Sequence, residues 1–177
     1  MSPEPEFSRP VRLDTLAEKP RELSISASAE ERMALAKRFE LMDIGELTAE
    51  VAVSRIGDQV TAKGCLSAKV TQSCVASGAP VPEQVDEEFT IFFRPQPARA
   101  GEEEEIELSE SEMDVVFYEG SAIDVGEAVA ETLSLSIEPY PRAPDADDLL
   151  RDSGVKSEEE VGPFAALAAL RGQLKPR

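Results

Sequence analysis

Apolar and polar side chains alternate in three consecutive stretches near the middle of the chain. Leu47, Ala49, Val51 and Val53 alternate with Thr48, Glu50, Ala52 and Ser54, the period-two signature of a half-buried strand. After a Gly57-Asp58 turn, Val60, Ala62, Gly64, Leu66, Ala68 and Val70 alternate with Thr61, Lys63, Cys65, Ser67, Lys69 and Thr71. In a third run Val81, Val85, Phe89, Ile91 and Phe93 oppose Gln84, Asp86, Glu88, Thr90 and Arg94, with Glu83 and Glu87 breaking the apolar parity. Three such runs joined by short turns predict an antiparallel meander with one face on the core and one in water.

The flanks change period. Ser28-Ala29-Glu30-Glu31 matches a capping box, and Leu35, Phe39 and Met42 follow at spacings of four and three. That pattern predicts a helix over 29–42. Asp124 followed by Glu127 repeats the capping signal, and Val125, Val129, Leu133 and Ile137 fall four apart, predicting a second helix over 124–137 that Pro139 and Pro141 end. Phe7–Leu16, Glu22–Ser26 and Met113–Tyr118 read as further short strands. Pro95 to Glu105 is rich in Pro, Ala, Gly and acid and reads as a loop. Residues 142–161 are acidic and poor in large apolar groups, the composition of a flexible tether.

The expected fold class is therefore α+β: one antiparallel sheet of about five or six strands carrying two helices. It makes a single domain over 1–141 with an acidic loop near 96–112, a flexible acidic linker over 142–161, and a short amphipathic helix over 162–177. A chain of 177 residues buries about two-thirds or more of its unfolded surface, so the core needs no disulfide or metal to hold it.

Charge sharpens this picture. There are 36 acidic and 18 basic side chains, a formal net charge of −18. Residues 102–160 alone account for −17, while residues 161–177 hold Arg171, Lys175, Arg177 and no acid. A phosphate backbone is bound by displacing counterions with Lys and Arg, so an acidic surface argues against DNA as a partner. No apolar run approaches the ~18 residues of a membrane span, and the N-terminus shows neither the basic nor the apolar region of a secretory signal. The expectation is a cytoplasmic protein without a membrane partner.

Chemistry is nearly excluded by what is missing. The chain has no His, which removes Ser-His-Asp and Cys-His constellations and most zinc sites. Cys65 and Cys74 are too few for a thiolate metal site, and no Lys or Arg lies within four residues of Cys74 to activate it. Glu102–Glu105 lacks the turn residues that make oxygens converge on a cation. No phosphate-binding glycine loop is present. No catalytic residue, metal ligand or cofactor site is expected, and the chain is read as a non-enzyme. The apolar stripe Phe164, Leu167, Leu170, with Arg171 beside it, is the candidate partner-binding segment: an amphipathic helix on a tether is a form that docks into a groove.

Three segments resemble the YceD family, whose bacterial members are described as large ribosomal RNA subunit accumulation proteins. Ala68-Lys69-Val70-Thr71-Gln72-Ser73-Cys74-Val75-Ala76-Ser77-Gly78-Ala79-Pro80 is similar to its strand leading into a Cys-x-x-Cys loop, with Ser77 where many relatives have the second Cys. Ile123-Asp124, Val129, Glu131 and Leu133-Ser134-Leu135, running to Pro139 and Pro141, resemble its central helix. Gly162-Pro163-Phe164-Ala165-Ala166-Leu167-Ala168-Ala169-Leu170-Arg171 resembles its closing segment. The resemblance implies a non-catalytic role in ribosome biogenesis, supporting accumulation of large-subunit (23S) ribosomal RNA. The implied partner is a ribosomal protein, an assembly factor or large-subunit rRNA. The alternative is an acidic adaptor that uses its tethered C-terminal helix on proteins unrelated to ribosomes.

Overall fold

The structure, a computed structural model, describes residues 5–96 and 115–155. Its centre is the pair of long strands that the alternation predicts. β3 (Asp43–Ile56) and β4 (Gln59–Ser73) run antiparallel through the Gly57-Asp58 turn, in register from Ile56↔Gln59 to Asp43↔Thr71, with a slip between Ile44 and Glu46. The inward parity is fully used: Leu47, Val51, Val53, Val60, Ala62 and Ala68 are all buried. β2 (Arg21–Ser26) pairs antiparallel with β3, and β5 (Pro80–Pro95) and β6 (Val115–Tyr118) complete a five-stranded sheet in the order β2-β3-β4-β5-β6.

Two features differ from the expected single antiparallel sheet. β6 runs parallel to β5, with Phe93 opposite Val116. A parallel neighbour requires a crossover rather than a hairpin, and residues 96–114 provide a connection long enough to make one. Second, β1 (Pro10–Arg12) and β7 (Ala122–Asp124) form a separate two-stranded antiparallel sheet, so the first and last strands pair with each other and not with the meander. A 3₁₀ turn over Leu13–Thr15 follows β1.

α1 (Ala29–Arg38) starts on the capping box: the Ser28 side chain accepts from the Glu31 amide at 3.3 Å and Glu31 accepts from the Ser28 amide at 2.7 Å. It stops earlier than the periodicity suggests. Leu41 N–H donates to Ala36 C=O and Glu40 N–H to Lys37 C=O, with Glu40 at φ 57. This is a Schellman ending. Met42 therefore belongs to the return into β3 and is 54% exposed, not part of the buried stripe. α2 (Val125–Ser136) buries Val125, Val129 and Leu133, as its spacing requires. Both helices contribute to one apolar cluster with the inner face of the sheet and with Phe7.

By its internal contacts the chain divides into two units, Met1–Gln72 with Pro82–Pro139, and Ser73–Val81 with Tyr140–Arg177. In the second, residues expected to form a flexible linker instead include a third helix, α3 (Ala146–Asp152). Small residues explain why composition missed it. Ala143 and Ala146 are buried against Cys74, with Ala76, Ala79 and Val81 packed on them, a cluster with no large side chain to announce it. Residues 156–161 of that linker and the segment 162–177 lie outside the described residues. No helix among the described residues is long and apolar enough to cross a membrane.

Candidate functional site

The loop after β4 folds back on itself. Cys74 N–H donates to Ala79 C=O and Gly78 N–H to Cys74 C=O, both at 2.8 Å. Gly78 has φ +72, the left-handed region where a side chain is strained. Val75 N–H donates to Pro141 C=O at 2.9 Å, and Ala143 N–H donates to Cys74 Sγ at 3.3 Å. The Ala143 amide, then the Ser77 hydroxyl, then the Ala76 and Ser77 amides lower the Cys74 thiol to about 7. Donors aimed at a sulfur favour its thiolate without any nearby cation. The local sequence gave no sign of this, because the strongest donor is 69 residues away.

The thiol is nonetheless buried. Its loop partner is Ser77, whose Oγ also accepts from Ala79 N–H at 3.3 Å. Among the described residues, no group of three or more His, Cys, Asp or Glu converges as a metal site would.

Asp124, in the second family-like segment, is a structural brace. Asp124 Oδ1 accepts from the amides of Arg9 (2.8 Å), Gly126 (3.0 Å) and Glu127 (3.1 Å), and Oδ2 from the Ser8 hydroxyl. One side chain thus caps α2 and ties down the N-terminal segment. Glu127 does not reach back as a capping box would. It pairs with Arg38 at the end of α1 (2.7 Å), which also holds Glu6 (2.9 Å). Glu83, one of the two acids that break the β5 parity, accepts from the buried Gln72 amide at 2.9 Å and from Glu138 N–H at 3.2 Å. Gln72 also donates to Glu138 C=O at 2.9 Å. Leu133 is buried, whereas Leu135 is 87% exposed.

The outer face of the sheet carries polar and acidic side chains. Thr48 and Glu50 of β3, Cys65 and Ser67 of β4, and Asp86 and Glu88 of β5 line a depression of about 390 Å³. Glu50 stands opposite Cys65 in the β3-β4 register. These residues share the outward parity that the sequence shows; what the sequence lacks is the register that brings them together. The segment expected to bind a partner, Phe164, Leu167, Leu170 and Arg171, lies outside the described residues, so the structure does not bring it to any of these features.

A family model described as large ribosomal RNA subunit accumulation protein YceD matches residues 62–171. The chain belongs to the YceD family. No curated protein and no solved structure matches it. The YceD match begins within β4 and takes in the Cys74 loop, β5, β6, β7, α2 and α3. It leaves β1 to β3 and α1 outside. The family-matched part therefore contains the Cys74 loop and the Asp124 cap, while Glu50 and the rest of β3, which complete the outer-face depression, precede it.

Proposed function

We propose that the chain is a non-catalytic ribosome-biogenesis factor of the cytoplasm that supports accumulation of large-subunit (23S) ribosomal RNA. It acts by binding a ribosomal protein, an assembly factor or an rRNA precursor. The observation that carries the proposal is the YceD family match over residues 62–171. Of the three partner classes, a basic ribosomal protein fits best: a net charge of −18 attracts cationic chains by long-range steering and repels polyphosphate. The non-catalytic reading is supported by how these acids near the family motifs are spent: Asp124 on the α2 cap, Glu127 on the Arg38 ion pair, and Glu83 on hydrogen bonds from Gln72 and Glu138.

The test is sedimentation of the full chain, tagged, through gradients at low salt, with and without nuclease. Co-migration with precursor large subunits that survives nuclease supports a protein partner, and co-migration that nuclease abolishes supports an rRNA partner. Recovery only at the top of the gradient contradicts the proposal.

A further inference from the structure

On the outer sheet face, three carboxylates flank the depression that Cys65 lines: Glu50 from β3, and Asp86 and Glu88 from β5, with Glu87 between the last two on the opposite parity. All three are exposed, and none is in an ion pair among the described residues. Among the described residues, Glu50 accepts only from the Ser24 hydroxyl at 2.7 Å, and Asp86 only from Gln84 Nε2 at 3.3 Å. Two lysines flank the depression along β4. Lys69 is held by Glu46 at 2.7 Å, leaving Lys63 against three acids. Between the acidic walls lie Cys65 and Ser67 of β4, small side chains that carry no charge, with Thr48 beside Glu50 on β3.

The dimensions follow from the sheet. β3 and β5 sit on either side of β4, so their outward carboxylates are separated by two strand spacings, about 10 Å. Outward positions along one strand recur every ~6.6 Å. A channel with small uncharged residues on its floor and anions on both walls suits a Lys or Arg side chain, whose stem lies on the floor while its charged head reaches a wall. An extended peptide presents same-side residues at that same repeat.

We propose that this face binds an extended segment of a protein partner carrying Lys or Arg at alternate positions. The inference rests on the ribosome-assembly reading for its biological setting, but the chemistry of recognition stands on the sheet alone. An RNA strand is disfavoured at this face by the same three carboxylates.

The experiment uses the full chain and a fluorescein-labelled decapeptide alternating Arg with Thr. A Glu-for-Arg version of that peptide and an oligouridylate serve as comparison probes. Cys65 is an exposed thiol inside the depression and Cys74 is buried, so the rate of Cys65 alkylation by iodoacetamide reports occupancy directly. The basic peptide should protect Cys65, and the acidic peptide and oligouridylate should not. Replacing Glu50→Gln, Asp86→Asn and Glu88→Gln together should weaken peptide binding about tenfold, as loss of several close charge contacts does. The variant Glu18→Gln, Glu40→Gln, Glu119→Gln removes the same charge elsewhere and should weaken it much less.

Equal weakening by the two variants, no protection of Cys65 by the peptide, or protection by oligouridylate would each overturn the inference. Sedimentation separates this failure from that of the assembly reading. If the wild-type chain and the sheet-face variant both co-migrate with precursor subunits, the assembly reading stands and the docking face falls. If the peptide protects Cys65 and the wild-type chain stays at the top of the gradient, the reverse holds.

Discussion

Asp124 shows how much of this fold hangs on one side chain. It caps α2 through two amides and holds Arg9 and Ser8 of the N-terminal segment. Loss of an N-cap alone costs roughly 0.5–2 kcal/mol, and unpairing the Arg9 amide adds to it. Asp124→Ala should therefore lower unfolding stability by at least about 2 kcal/mol in urea titrations, while Asp124→Asn should retain part of the cap. Glu40 gives the opposite sign. It is exposed and holds φ 57 at the end of α1, a conformation that costs an L-residue roughly 1–2 kcal/mol. Glu40→Gly should raise stability by up to about 1 kcal/mol, read as a higher urea midpoint at unchanged slope. The Ser28–Glu31 box and the Asp124 cap were legible in the sequence because capping is local. The pairing of Glu127 with Arg38 and the amide from Ala143 at Cys74 were not, since both partners come from distant segments.

At the scale of elements, strand alternation located β3, β4 and β5, because each buries one parity and wets the other. It could not show that β6 lies parallel to β5 or that β7 pairs with β1, since neither short strand carries its partner in its own period. Close strand packing makes a further prediction. A Cβ added at Gly64 would sit 2.2 Å from the Glu50 carbonyl oxygen and 3.0 Å from Val51 Cα. Gly64→Ala must push β3 and β4 apart, and it should destabilise the chain by about 1–3 kcal/mol, measured against Ala62→Gly as a control for altered side-chain volume on the same strand.

Acid should loosen the contact between the N-terminal segment and α1. The Arg9 guanidinium, at 2.7 Å, lowers Glu31 from the ordinary 4.5 to about 2. A carboxyl depressed on folding contributes its stability above the unfolded value and loses it as pH falls through the folded one. Denaturation between pH 6 and pH 2 should show wild type and Glu31→Gln converging below pH 4.5, with the largest gap above it. Parallel pH profiles for the two would contradict that assignment.

For the whole molecule, the decisive quantities are a charge of −18 and a family match that spans 62–171. The first was plain from composition, and the second from three motif segments in order. Two compact units, one of them built around the small-residue cluster at Cys74, were not foreseen. Alanine packing leaves no periodic signal for the eye to follow. Electrostatic association should weaken as added salt shortens the screening length from about 10 Å at 0.1 M, so co-sedimentation should decline between 50 and 300 mM salt. The most direct measurement is the ratio of large- to small-subunit ribosomal RNA in cells lacking the chain, with and without its re-expression. The account predicts a fall in that ratio that the full chain restores; an unchanged ratio in its absence would contradict it.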